Sequence, residues 1–159
     1  MNLYFRLLWV FFRALRRPRI QQDDIRNEIT TMVFPNDLDI NLHMNNGRFM
    51  TICDLGRVDM FVRTGLARVM YQKKWIPVVS SVSMTFIKSL HLFDRVRVSS
   101  HVTHWDEKYF YSTHSLFRGD EKVAEGTSKA LVIRKTSGRL TPAEVIDAVD
   151  ALIASRNGT

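Results

Sequence analysis

Residues 36–49 read Asn36-Asp37-Leu38-Asp39-Ile40-Asn41-Leu42-His43-Met44-Asn45-Asn46-Gly47-Arg48-Phe49. Two carboxylates, one histidine and the Asn45-Asn46 pair are packed into a single connection between a β-branched segment and a helical one. Asn45 or Asn46 suits a helix N-cap, because an asparagine side chain accepts from the free N–H groups of a first turn. That turn also carries the positive end of the helix dipole, so it can hold an oxyanion or polarise a carbonyl. A carboxylate a few residues upstream, on a loop folded back over the turn, is positioned to act as nucleophile or general base. The plainer alternative is an Asx-rich turn that only caps the helix, and Asp37 reads as a turn former in either case.

On the upstream side, 24–34 is rich in Ile, Thr, Val and Phe and stops at Pro35-Asn36-Asp37, which predicts a strand. On the downstream side, Phe49, Ile52, Cys53 and Met60 recur at helical spacing and predict a helix over 46–63, ended by Gly65. Gly56 shares that stripe, which points to close packing against a sheet, and Cys53 reads as a small core residue. A β-rich run follows at 76–87. Over 95–103 the pattern alternates, with Val96, Val98 and Val102 on one face and Arg95, Arg97, His101 and Thr103 on the other. Turns at 105–107 and at Gly119-Asp120 lead into strands over 108–117 and 122–135. Thr141-Pro142-Ala143-Glu144 is a capping box that opens a last helix over 141–155, with Val145, Ile146, Val149, Leu152 and Ile153 as its buried stripe. One long helix facing five antiparallel strands is an α+β arrangement.

The chain has 159 residues and a net charge of +7, which suits one domain and an anionic partner such as a phosphate ester or an anionic lipid. Its single cysteine excludes an intrachain disulfide and a cysteine-based zinc site, and suits a reducing, cytoplasmic setting. No G-x-S-x-G elbow, Walker A loop or G-x-G-x-x-G run is present. The five histidines lack metal-ligand spacing; His101 and His104 point to opposite faces of their strand, and His104 and His114 read as surface or packing residues. Outside the N-terminus the basic residues are scattered and carry no docking motif, which argues against nucleic acid.

The run "DLDINLHMNNGRF" resembles the D-x-D-x-x-G-H-x-N-N-x-x-Y pattern of hotdog-fold acyl-CoA thioesterases of the 4-hydroxybenzoyl-CoA thioesterase type. "MTICDLGRVDMFVRTG" and "SMTFIKSLHLFDRVRV" look like that family's central helix and its second and third strands, so the resemblance covers about residues 24–135. It implies a hotdog fold, a long central helix wrapped by a five-stranded antiparallel sheet, plus N-terminal and C-terminal helices. It also implies hydrolysis of an acyl-CoA thioester to free acid and CoA, with neither metal nor cofactor. Asp39 corresponds to the catalytic carboxylate, which attacks the thioester carbonyl or activates water. The carbonyl-polarising backbone N–H falls at Asn46. His43, Asn45 and Gly47 match positions that hold the loop and shape the substrate site. Leu42 stands where the family usually has glycine, Leu38 replaces a common threonine, and Phe49 replaces the usual tyrosine. Relatives close their open sheet edge across a two-fold axis, implying a homodimer or a dimer of dimers. The alternatives are a non-catalytic acyl-thioester or lipid-binding protein at a membrane surface, and a dehydratase using Asp39 with His43. Lys88, Arg95, Lys129 and Arg134 are candidates for the CoA phosphates, with solvated strand positions as the plainer reading.

Residues 1–20, MNLYFRLLWVFFRALRRPRI, differ from the 21–159 thioesterase domain. Joined to "HMNNGR", they look most like the membrane-associated thioesterase-like branch of this superfamily. On a helical wheel Arg6, Arg13, Arg16 and Arg17 share one face, and Leu3, Leu7, Leu8, Phe11, Phe12 and Leu15 fill the opposite arc. Pro18 ends the helix. At about 20 Å the apolar run is too short to span a bilayer of ~30 Å. Two placements remain: the apolar arc packs on the body or on a second subunit, or it lies on an anionic membrane surface.

Overall fold

The polar loop ends where Asn45 caps a helix of 19 residues, α2 (Asn46–Thr64), which is about 28 Å long at 1.5 Å per residue. The computed structural model describes residues 3–136 and 138–157. Before α2 come α1 (Leu3–Ala14), β1 (Arg26–Met32) and a single 3-10 turn at Pro35–Asp37; after it come α3 (Leu66–Lys73), β2 (Trp75–Phe86), β3 (Arg95–Trp105), β4 (Phe110–Arg118), β5 (Glu121–Arg134), β6 (Arg139–Leu140) and α4 (Pro142–Asn157). The strands form one antiparallel sheet in the order β1-β3-β4-β5-β2, with the two-residue β6 paired to β5. The five long strands and the α2 helix lie where the sequence pattern puts them. So does the capping box: Thr141 N–H donates to Glu144 Oε2 (2.8 Å), and Glu144 N–H to Thr141 Oγ1 (3.3 Å).

Two elements were not expected. Gly65 ends α2, but at φ +90° it also starts α3, so one residue that permits a left-handed turn links two helices. β6 is too short to leave an alternating pattern.

The main core lies between α2 and the sheet. Phe49, Ile52, Cys53 and Leu55 from the helix meet Val96, Val98, Leu116, Val123 and Ala124. Gly56 sets the spacing. A Cβ there would stand 3.3 Å from Ser100 Oγ, and the Gly56 carbonyl accepts from Asn27 Nδ2 at 2.7 Å. The Cys53 thiol is buried, and desolvation pushes its pKa up to about 12.

α1 contributes Leu3, Leu7 and Val10 to this core, but its orientation departs from the expected one. Arg6, Val10 and Ala14 are its buried residues, while Leu8, Phe11, Phe12 and Leu15 of the apolar arc face outward. The reason is electrostatic. Arg6 reaches the buried carboxylate of Asp37, and Arg17 reaches the buried carboxylate of Asp59, which Asn27 and Arg63 also contact. Two arginines thus enter the body, and the helix turns with them.

Of the two roles open to His114, the structure shows packing: the residue is buried beneath α2 at the centre of the sheet. A neutral imidazole donates from one ring nitrogen and accepts at the other, so two serines satisfy it: Ser100 Oγ at Nδ1 and Ser128 Oγ at Nε2, both 2.9 Å. Burial first, and the Arg57 charge second, push its pKa down from 6.5 to about 4. The folded ring stays neutral while the unfolded chain's histidine takes a proton near pH 6.5. The stabilising contribution is therefore full above 6.5 and is lost as the pH falls toward 4. A shift of that size corresponds to about 3 kcal/mol. The urea midpoint of the wild type is expected to fall between pH 7.5 and 4.5 by clearly more than that of His114→Gln, whose amide can still bond both serines. Equal falls in the two proteins would refute this.

Candidate active site

The loop between β1 and α2 is held at both ends by Asp37. This side chain is 2% exposed, so its charge requires compensation. Arg6 Nη2 bonds Asp37 Oδ2, Arg6 Nη1 lies 3.4 Å from Oδ1, and Arg48 Nε approaches Oδ1 at 3.7 Å. The Phe34 N–H donates to Asp37 Oδ2 (2.9 Å), and the Asn45 N–H to the Asp37 carbonyl (2.8 Å). Arg6 also donates to the Met32 carbonyl and lies 4.5 Å over the Phe34 ring. Asp37 is therefore a buried ionic anchor and not a simple turn former. Arg6 left no sequence signal for this role, because its partner is 31 residues away.

Within that frame, residues 38–44 form a closed finger. Leu38 and Met44 pair as an isolated antiparallel bridge, and the Asp39 N–H donates to the His43 carbonyl at 2.8 Å. The Asp39 carboxylate turns back over the finger: Oδ1 accepts from the N–H groups of Asn41 (2.8 Å) and His43 (3.3 Å). Both bonds fall on one oxygen, which leaves Oδ2 for another partner. Leu42 sits at φ +60° at the finger's tip, a left-handed conformation that a glycine would adopt without strain.

Asn45, not Asn46, is the cap. Its Oδ1 accepts from the Gly47 N–H at 2.8 Å, and its carbonyl accepts from the Arg48 N–H at 2.8 Å. The Asn46 N–H takes part in neither bond. Gly47 supports the cap, since a Cβ there would stand 3.2 Å from Asn45 Oδ1. His43 is half-buried and packs edge to face against His91, ring centroids 4.9 Å apart. His91 and Leu90, whose carbonyl accepts from the Met44 N–H (2.8 Å), lie in the β2–β3 connection, and nothing in the sequence tied them to the loop.

The basic residues considered for CoA are not gathered here. Lys129 Nζ lies over the Tyr109 ring (4.5 Å), Arg134 bonds Glu144 (2.8 Å), and Lys88 lies 3.9 Å from Glu121. An apolar cavity of about 90 Å³ lies between α2, the sheet and α4, lined by Met60, Phe61, Val102, Phe110, Val149 and His114. It sits toward the far end of α2, since Met60 is about 21 Å along the helix from Asn46. Among the described residues no group of three or more His, Cys, Asp and Glu side chains could hold a metal ion.

Arg6→Met should strand a buried charge and cost about 3–5 kcal/mol in urea unfolding. Adding Asp37→Asn removes that charge, so the double variant should recover part of the loss. A double variant no more stable than Arg6→Met would contradict the ion-pair account.

A sequence profile of the thioesterase-like superfamily matches residues 33–152. Protein THEM6 of Xenopus laevis is 31% identical over 111 residues, 65% of this chain and 54% of that protein, so the chain spans about half the length of the curated relatives it matches. The DHNA-CoA thioesterase of Staphylococcus aureus superposes with a TM-score of 0.69 at 16% identity, over 84% of this chain and 94% of that one. The protein SAV2348 of Staphylococcus aureus, solved in complex with CoA, gives 0.67 at 16% identity over 85% of each chain. The fold is thus the hotdog fold of the structurally characterised thioesterases. With the match running from the end of β1 into α4, the chain belongs to the thioesterase-like superfamily.

Proposed function

We propose that this protein hydrolyses an acyl-CoA thioester to the free acid and CoA, with Asp39 as the reacting carboxylate and the Asn46 N–H as the oxyanion donor. The observation that carries the reading is the pairing of these two groups. The Asp39 carboxylate is fixed through Oδ1 by the Asn41 and His43 amides, seven residues before Asn46, the first residue of the helix that Asn45 caps. A thioester suits so small a site. Sulfur donates weakly into the carbonyl and thiolate is a good leaving group, so one carboxylate and one oriented donor suffice.

In the proposed reaction, Asp39 takes a proton from water as the water oxygen bonds to the thioester carbon. The carbonyl electrons move onto oxygen, where the Asn46 N–H and the α2 dipole stabilise them. A donor of this kind contributes about 3–4 kcal/mol to the transition state. The C–S bond then breaks, the acid is released, and the CoA thiolate takes the proton from Asp39. Direct attack by Asp39 would form a mixed anhydride, which water then cleaves. Single turnover in ¹⁸O water identifies the anhydride route when label enters the Asp39 carboxylate, which requires water to cleave the anhydride at the Asp39 carbonyl. The CoA complex of a structural neighbour supports a CoA substrate. His43, Asn45 and Gly47 are proposed to hold the finger and the cap. The proposed assembly is a homodimer or dimer of dimers through the free edge of β2, where Ile76, Val78 and Val79 are exposed. The proposed setting is cytoplasmic.

Asp39→Asn keeps an acceptor for the Asn41 and His43 amides but loses the base. Turnover, followed as thiol release from acyl-CoAs of several chain lengths, should fall on the order of 10²–10⁴-fold. Acyl-CoA binding and melting temperature should be unchanged. Near-wild-type turnover in Asp39→Asn would remove Asp39 from the chemistry, and no thiol release by the wild type with acyl-CoA still bound would favour a non-catalytic acyl-thioester-binding protein. Light scattering at micromolar concentration should give an even multiple of the chain mass.

A further inference from the structure

The outer side of α1 is an exposed apolar face. Tyr4 is 72% exposed, Phe5 64%, Trp9 66%, Phe12 57% and Leu15 60%, with Leu8 beside them. Leaving such large apolar side chains in water is unfavourable relative to burying them. Packing on the body does not relieve this, because Arg6 and Arg17 have committed the opposite side of the segment to Asp37 and Asp59.

We infer that this face docks in the plane of an anionic bilayer. Its charge selects that occupant. At roughly 100° per residue Arg13 borders the apolar arc, Arg16 follows in the turn after α1, both are exposed, and exposed Arg19 comes next. No acidic residue occurs before Asp23. A second copy packed face to face would bring these arginines together with no carboxylate from the segment to neutralise them. Lipid phosphates neutralise them, and Trp and Tyr favour the headgroup layer at the same depth. At 12 residues the helix is about 18 Å long, and among the described residues no helix is long and apolar enough to cross a membrane. α1 therefore lies flat, with its aromatic side in lipid, Arg13 and Arg16 at the headgroups and Arg6 on the protein.

The test is co-sedimentation of the full chain with vesicles of phosphatidylcholine containing 30% phosphatidylglycerol, against vesicles of phosphatidylcholine alone. Binding should be at least tenfold tighter to the anionic vesicles and should weaken with added salt. Arg13→Gln with Arg16→Gln should lower it by about fivefold per arginine. Phe5→Ser with Trp9→Ser and Phe12→Ser should abolish it without lowering the melting temperature, since these side chains are exposed. In the wild type, brominated lipid should quench tryptophan emission, and Trp9→Phe, a change that preserves the apolar surface, should lose most of that quenching. Absence of binding to anionic vesicles, binding unchanged in the triple serine variant, or quenching unchanged in Trp9→Phe would overturn the inference. So would a triple variant whose mass in vesicle-free solution is a smaller multiple of the chain than that of the wild type, because the face would then be an interface between copies.

Discussion

A carboxylate excluded from water has to be matched by a cation with good geometry, and Asp37 is matched by Arg6. The consequences spread from that pair. Asp37 also accepts from Phe34 at the end of β1 and, through its carbonyl, fixes Asn45, the residue that caps α2. The finger that carries Asp39 therefore leaves and returns to one anchored residue. Because Arg6 comes from α1, the N-terminal helix has to dock before the anchor is complete. Arg17 repeats the device at Asp59, in the middle of α2. The rotation of α1, with Phe and Trp outward and an arginine inward, follows from these two partners and overrides the amphipathic pattern.

Much of this architecture was legible in the sequence because it rests on local rules. The stripe of Phe49, Ile52, Cys53 and Met60, the alternation around Val96 and Val98, and the Thr141–Glu144 box each involve residues close together in the chain. They form the elements they predict. The Asp39-to-Asn46 loop was recognisable by resemblance. What escaped notice depends on distant or dual-purpose residues. Arg6 looks like part of a polar face until its partner 31 residues away is known. His114 looks like any strand histidine until Ser100 and Ser128 arrive from neighbouring strands. Gly65 reads as a stop, although its positive φ serves a helix on each side.

The chemistry of the candidate site draws largely on main-chain atoms. The finger is closed by the N–H and carbonyl groups of Asp39 and His43, and the proposed oxyanion donor is the N–H of Asn46. Main-chain groups survive substitution as long as the path of the chain survives. This is how Leu42 can stand where a glycine is usual in the family: the finger keeps its shape with a leucine held at φ +60°. The cost is local and falls at the tip, away from the cap. Side-chain identity matters most where it sets the path, at Asp37, Asn45 and Gly47.

The burial of Cys53 has a kinetic consequence. A thiol reacts as thiolate, and this one is sealed between α2 and the sheet with its pKa pushed up to about 12. Alkylating or oxidising reagents can reach it only when the helix lifts from the strands. As the chain's single cysteine, it is a built-in clock: its labelling rate in the native protein measures how often the long helix separates from its sheet.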